Sequence, residues 1–440
     1  MFQVPILPAG SDRPHHRLML NGSNRPDGAS MLTEKEKLDE LLSLGIELNQ
    51  LKDLDILLER ILTDSRKFVN ADAGSIYICN NNILDFTYTQ NDTLQKRLPA
   101  GEKLIYSTFS MPINTDSIAG YVATTGELLN IPDVYHLPAD VPYSFSKKFD
   151  ESAGYTTRSV VTLPLKNTRS EILGILQIIN AKNEAGAAVS FSDEDESLML
   201  HFASVAAVAL ERAQMTRAIL LRMIRMAEMR DPKETGAHVN RVGGYSIEIY
   251  EKWAERHNLD KKKIESGRDS LRMAAMLHDV GKVAISDLIL KKPGRFNNDE
   301  REIMKQHTVL GAQLFLQAQS EFDEAAREVA FNHHERWDGT GYPGHVDIET
   351  GEPLPGYELS DGTPRGKKGT EIPLFGRIVA LADVYDALSS ARVYKKAWSE
   401  ADVLETIAKE AGAQFDPEIV DIFLSRIEVL RSIQERYSKP

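Results

Sequence analysis

Cysteine is almost absent: Cys79 is the single one in 440 residues, which excludes an internal disulfide framework and fits a reducing compartment. No apolar run approaches the roughly 18 residues that would suggest a membrane span. The first residues, MFQVPILPAG, lack a basic start and a sustained apolar core, so no signal peptide is expected. A cytoplasmic location is the expectation that follows. Positive charge is in deficit, with 52 Lys and Arg against 65 Asp and Glu and a net charge of -13. That argues against a protein coating a nucleic acid polymer through phosphate contacts, yet leaves room for a small anionic ligand held by local cations.

The chain is longer than one hydrophobic core usually serves, so two domains are expected. Residues 1–32 hold Pro5, Pro8, Pro14 and Pro26 among Gly, Ser and Asn and read as a disordered leader. A helix is expected after Thr33, with Leu38, Leu41, Leu42 and Leu48 at helical spacing and LDILLERILTDSRKFV continuing it. Alternating runs follow: SIYICN from Ser75, ILDFTYTQ from Ile83, SVVTLPL from Ser159 and EILGILQIIN from Glu171. Helix, antiparallel strands and a closing helix make an α+β domain, over 33–213. Neither Gly nor Pro interrupts residues 193–230. Leu198, Val205, Ile219 and Met226 fall seven or fourteen apart in that stretch, with Arg212 breaking the series. A connecting helix of this kind suits a dimer seam, although packing on its own domain is the ordinary alternative. Residues 231–440 read as mainly helical, apart from a Gly- and Pro-rich insert at 344–370.

The chemistry-bearing residues sit in that second half. KETGAHVNRV places Glu234 and His238 four apart, on one face of a helix. MLHDVGKVAI gives His278 beside Asp279, with Lys282 a turn further on. KQHTVLGA contributes His307, NHHERWDG contributes His333 and His334, and ALADVYDAL sets Asp383 in an apolar helix. Each has a bland alternative: a solvated i,i+4 pair for Glu234 and His238, a hydrogen-bonded core position for His307, a local cap for Asp383. Lys282 alone could be a helix-end lysine facing solvent. Adjacent helical residues point about 100° apart, so the His-Asp and His-His pairs can both be used only where several elements converge, as in a helical bundle. Imidazole with carboxylate suits divalent iron, manganese or zinc better than calcium.

HDVGK followed by HHERWDGTGYP resembles the HD-GYP family, a branch of the HD phosphohydrolases. The resemblance runs from about Arg230 to Phe423 and includes ADVYDALSSARVYKKAWS and AGAQFDPEIV. It implies metal-dependent hydrolysis of cyclic di-GMP to pGpG, with onward cleavage to GMP left open. Another cyclic dinucleotide such as cyclic GMP-AMP, or a non-catalytic cyclic di-GMP receptor, are the alternatives. The family pattern implies two or three divalent metals, iron first and manganese second. It implies as ligands Glu234, His238, His278, Asp279, His307, His333, His334 and Asp383. Asp279 would bridge two metals, His333 and His334 would serve different ones, and Glu234 would accompany a third. Lys282 would face phosphate or transition-state charge. Tyr342 would offer a flat face or a hydroxyl to the substrate, Gly341 would let the turn approach the pocket, and Arg392 and Lys395 match the family's substrate-binding arginine and lysine. Val393 stands where the family usually has proline. The insert at 344–370 is longer than the usual crossing, and reads either as a surface excursion or as a lid.

Residues 33–213 resemble a GAF sensor domain through LKDLDILLERILTDSRKFVNADAGSIYICN and GILQIINAKNEAGAAVSFSDEDE. Phe191, Asp195 and Glu196 match the second part of the family's cyclic-nucleotide signature; Ala181 separates Asn180 from Lys182 in the first. The resemblance implies a regulatory role and a small ligand such as a cyclic nucleotide, with a closed pocket serving dimerisation as the alternative. Cys79 reads as core rather than redox sensor. The fold expected is therefore multidomain: an α+β GAF domain (33–213), a connecting helix (193–230) that favours a homodimer, and an all-α HD-GYP bundle (231–440).

Overall fold

The computed structural model describes residues 34–98, 110–230, 236–390 and 398–437. The expected leader at 1–32 lies outside them, as do Glu234, Arg392 and Lys395. The N-terminal half is built on a seven-stranded sheet. Its strands are β1 (Ala71–Asn80), β2 (Ile83–Asn91), β3 (Ser110–Pro112), β4 (Leu129–Ile131), β5 (Val160–Lys166), β6 (Ile172–Lys182) and β7 (Ala188–Val189). The order is β3-β2-β1-β6-β5-β4, with β7 on β6, and every pairing is antiparallel. The runs read as strands from their alternation form β1, β2, β5 and β6.

Register sorts the sheet's two faces. Ile76 pairs with Leu176, and Leu176 with Leu163. These point to one face with Ile78 and Ile178, where helix Leu54–Phe68 supplies Leu57, Leu58, Ile61 and Leu62. Gly74 lets that helix approach, since a β-carbon there would lie 2.9 Å from Leu62 Cδ1. The alternate residues Tyr77 and Ile175 build a smaller core with Leu84, Ala119 and Val122 on the other face. Half-buried Cys79 joins this second core, and burial pushes its thiol up to about 11, so it is not a reactive thiolate at neutral pH.

The first helical run is not continuous. It breaks at residues 51–53 into helices Glu34–Gln50 and Leu54–Phe68. Asp53 is the cause: its carboxylate accepts from the amides of Asp55 and Ile56 and caps the second helix. The amides of Lys52 and Asp53 are drawn off to Asp269, at 2.9 and 2.7 Å.

Helix Asp193–Glu228 runs unbroken for 36 residues, about 54 Å at 1.5 Å per residue. Ser192 and Asp195 form a capping box at its start. Phe202, Ala206, Ala209, Leu210 and Ala213 pack into the sheet domain, while Leu220 and Ile224 enter the helical core. One helix thus serves both halves. Of the heptad residues, Leu198 and Val205 are half-buried, while Ile219 and Met226 are exposed.

Helices Gly236–Arg256, Lys261–Met276, Glu321–Asn332, Leu374–Ser389 and Pro417–Ser425 form the second half around one apolar core. The insert at 344–370 carries two isolated bridges, Val346 to Pro353 and Glu358 to Pro364, and a short 3-10 turn. No helix among the described residues is long and apolar enough to cross a membrane.

Candidate metal centre

Each expected ligand that is described stands at or near an element's end, or on a face turned inward. His238 belongs to helix Gly236–Arg256, and His278 and Asp279 follow the end of helix Lys261–Met276. His307 begins helix His307–Gln313, and His333 and His334 follow helix Glu321–Asn332. Asp383 lies in helix Leu374–Ser389. The bundle gathers them into two groups. Ligand-type atoms of Asp279, His307, His333 and His334 lie within 4.8 Å of one another, and so do those of His238, His278 and Asp383.

Asp279 joins the groups. Its Oδ1 lies 3.2 Å from His307 Nε2 and 3.7 Å from His333 Nε2, while its Oδ2 lies 3.2 Å from His278 Nε2. In the second group Asp383 Oδ1 lies 3.5 Å from His238 Nε2 and 3.9 Å from His278 Nε2. His333 and His334 fall in the same group, in contrast to the expectation that they would serve different metals. The reason is local: just after the helix end the two imidazoles lie against each other, with ring centroids 4.1 Å apart and planes 43° apart.

Whether a cation fits can be judged from the rings' other nitrogens. Nδ1 of His278 contacts Ala275 O at 2.8 Å, Nδ1 of His307 contacts Met304 O at 2.6 Å, and Nδ1 of His333 contacts Val329 O and Ala330 O at 3.1 Å. A carbonyl only accepts, so each Nδ1 carries a proton, and in the neutral ring the Nε2 lone pair points into the centre. Burial pushes the imidazoles of His333 and His334 below their ordinary range, favouring the neutral form. The Nε2 atoms of His307 and His333 then face each other at 3.5 Å beside an acid. Burial alone would push the Asp279 carboxyl up; Lys282 and the imidazoles outweigh it and hold it well below the usual range. Lone pairs and a carboxylate converging in a buried space repel one another unless a cation lies among them. The donor set, N and O with no thiolate, suits a divalent first-row metal.

Sequence reasoning missed the layer behind these residues. His238 Nδ1 donates to Asp386 Oδ2 at 2.8 Å, and Arg241 grips the same carboxylate with Nε at 2.6 Å and Nη2 at 2.8 Å. Such a carboxylate fixes the ring's orientation and raises its basicity. The signal was there, since Asp386 lies one turn beyond Asp383 and Arg241 one turn beyond His238, yet either reads as an ordinary helical charge.

Lys282 Nζ donates to Asp279 Oδ2 at 2.6 Å. Tyr342 stacks on His334, with centroids 4.8 Å apart and planes 26° apart, so one face of its ring is already taken. The Tyr342–Pro343 peptide is cis. Gly341 is required for closing the turn: a β-carbon there would lie 2.3 Å from Arg336 N and 2.5 Å from Glu335 Cα.

In the sheet domain, the residues resembling the nucleotide signature are engaged locally. Asn180 accepts from Arg158 N at 2.6 Å and donates to Tyr155 and Thr156. Lys182 pairs with Asp72, and Asp195 closes the capping box.

This architecture, a helical bundle gathering histidines and acids beside a sheet domain, is that of an HD-domain protein with an N-terminal sensor module. Family models for an HD domain match residues 235–388 and 358–419, and a GAF-domain model matches 53–210. Among curated relatives in Vibrio cholerae serotype O1, a cyclic di-GMP phosphodiesterase is 40% identical over 46% of this chain and 37% of its own length. A 3'3'-cGAMP-specific phosphodiesterase 2 is 37% identical over 44% of this chain and 31% of its own. A probable cyclic di-GMP phosphodiesterase is 30% identical over 73% of this chain and 68% of its own length. The chain thus spans only about a third of the first two. With that third relative aligned through both halves, the chain belongs to the HD-GYP family, with a GAF domain preceding the HD domain.

Proposed function

We propose that this chain is a metal-dependent phosphodiesterase that opens cyclic di-GMP to linear pGpG, under the control of its GAF domain. The observation that carries the reading is the pair of ligand groups joined through Asp279, in a chain whose relatives bear phosphodiesterase names. His238, His278 and Asp383 would hold one divalent ion, and His307, His333 and His334 a second, with Asp279 shared between them. Glu234, at its place in the motif, is the candidate for a third. The donor set suits a divalent first-row metal; iron is proposed first and manganese as the alternative, as the HD-GYP resemblance implies. When bound, such ions neutralise phosphodiester charge and make water nucleophilic near neutral pH.

The protein's own groups do the positioning. The backbone carbonyls and Asp386 hold the rings with Nε2 inward. Lys282, beside Asp279, adds a cation where phosphate charge must be met. Tyr342 walls the group containing His334, with the Lys305 ammonium 5.5 Å from its ring centre, and would meet the substrate through its hydroxyl or ring edge. Arg392 and Lys395 complete the reading as base and phosphate contacts. Hydrolysis adds water across one P–O bond; the attacking water loses a proton and the departing ribose oxygen gains one.

Regulation is assigned to the GAF domain, with a small ligand such as a cyclic nucleotide as its effector. A homodimer through helix Asp193–Glu228 belongs to the same proposal. Its outward side exposes Val208, Met215, Ile219 and Met226, which fall at alternating seams of a seven-residue pattern.

The test is anaerobic purification with metal analysis, then timed digestion of cyclic di-GMP and cyclic GMP-AMP in parallel. Co-purified iron or manganese and faster production of pGpG are expected. Faster cleavage of cyclic GMP-AMP would reassign the substrate, and a metal-loaded chain that binds either without cutting it would make the protein a receptor.

A further inference from the structure

The insert at 344–370 is tied to the metal centre from behind. On its outgoing limb, buried Val346 packs with Ala312 and Phe331, with Val309 and Ile348 against them. Gln313 Nε2 donates to the carbonyls of Ile348 and Glu349 at 2.9 and 3.1 Å. This limb leans on the helix that begins at His307. The return limb reaches the other side of the same group. Lys367 Nζ donates to Asn332 Oδ1 at 2.5 Å and sits 4.3 Å from the centre of the Phe331 ring. The Lys367 amide donates to Glu335 Oε2 at 3.2 Å, and Glu335 Oε1 accepts from the Gly344 amide at 2.6 Å.

Phe331 and Asn332 precede His333, and Glu335 follows His334. One lysine therefore touches both flanks of the paired histidines, and through Glu335 it reaches the end of the Gly341–Gly344 turn. The placement is costly: burial pushes the Lys367 ammonium down, with Glu335 and Glu328 opposing. An ordinary surface excursion would leave such a side chain in water. A lid would turn its contacts towards the pocket mouth rather than to the helix end behind the ligands.

We infer that Lys367 is a positioning residue for His333 and His334, and that the insert is a brace for the four-residue group rather than a lid. The inference rests on the metal reading above. If it holds, removing the donor should loosen one ion site and spare the other, as loss of an outer-shell partner typically costs 10–100-fold in metal affinity.

The experiment uses the full chain, stripped of metal and titrated with Mn²⁺ alone, in native form and as Lys367→Met and Lys367→Arg. His334→Ala and Asp383→Ala mark which binding class belongs to which group. Lys367→Met is expected to weaken the class lost in His334→Ala by about 10–100-fold and to leave the class lost in Asp383→Ala unchanged. Lys367→Arg, which keeps a charged donor, should restore most of the loss. The inference is overturned if Lys367→Met matches the native chain in both classes, if it weakens both alike, or if it loses its helical far-UV signal. The last two results would make Lys367 a general support of the fold. A native chain that takes up no Mn²⁺ overturns the metal reading itself, an outcome separable from the others.

Discussion

Arg272 and Asp55 form a buried ion pair across the boundary between the two halves of the chain. Arg272 lies in the helix that leads to His278 and Asp279, and Asp55 in the first turn of the helix that covers the sheet. Arg217 from the connecting helix approaches the same carboxylate at 3.3 Å, and Arg436 from the C-terminal helix at 3.2 Å. Arg272 Nε also lies 3.1 Å from Asp53 Oδ1. Burial would push the Asp55 carboxyl up, but Arg272 and the other guanidiniums outweigh it and hold it far below the usual range. Both halves therefore meet at one carboxylate.

Removing that carboxylate strands several buried guanidiniums, and breaking a buried pair costs about 3–5 kcal/mol. The native chain is expected to melt in one transition, and Asp55→Ala to split thermal unfolding into two. Calorimetry decides it: a single, unsplit transition in the variant would mean that the halves are held together elsewhere.

Asp269 supplies a pH dependence of opposite sign to the usual acid. Burial pushes its carboxyl up to about 6, with the amides of Asp53 and Lys52 opposing. The folded chain thus holds this proton more tightly than the unfolded chain does. Its contribution to stability is complete below the ordinary carboxylate pKa and is lost as pH rises towards 6; above that the buried carboxylate is a cost. At about 1.4 kcal/mol per unit, the cost is about 3 kcal/mol at most. Asp53, pushed up by burial as well and opposed by Arg272, faces the same spot, so a variant is needed to separate them. Asp269→Asn should flatten the change in stability between pH 5 and 7 and be no less stable than the native chain at pH 7. Denaturant melts at both values check this; equal slopes for variant and native chain would remove Asp269 as the source.

The metal groups predict an order of severity. Asp279→Ala should deplete metal from both groups and abolish turnover, because its two oxygens face different imidazoles. Among the ligand rings Asp386 contacts that of His238, while also pairing with Arg241, so Asp386→Asn should cost about 10–100-fold in affinity or rate. Metal analysis beside a timed digest ranks them. An Asp279→Ala chain with full metal content and normal turnover would show that the centre lies elsewhere.

Much of this was legible in the sequence where chemistry was concentrated in short motifs. The pairs at 278–279 and 333–334 demanded converging elements, and the alternation of β1, β2, β5 and β6 announced antiparallel strands; that both faces of the sheet are covered was not in that pattern. What escaped notice depends on partners distant in sequence. The break at 51–53 is stabilised by Asp269, more than two hundred residues on. Asp386 acquires its role only through the approach of His238 and Arg241 from another helix. Lys367 reads as one lysine in a polar loop until the chain folds it against Asn332. The reach of an insert is set by what it packs on, which its composition does not encode.

The connecting helix offers a last test. Met215, Ile219 and Met226 are 63%, 50% and 65% exposed, on the side turned away from the residues that enter either core. The first helix adds Leu42 and Ile46, 59% and 63% exposed. A β-carbon on Gly45 would lie 3.0 Å from Val205 Cγ1, so the two helices pack closely and can present one broad apolar face. Arg212 and Arg222 interrupt this face, which favours a defined register over free sliding. A second copy brought against it would bury the row, and a charge placed at its centre would then lie between two helices. Ile219→Asp should therefore convert a sedimenting dimer into a monomer. Leu288→Asp, at a residue 86% exposed on the helical half, should leave it dimeric. If the native chain sediments as a monomer, or if Ile219→Asp sediments with it unchanged, the face is solvent-exposed and the helix packs on its own chain alone.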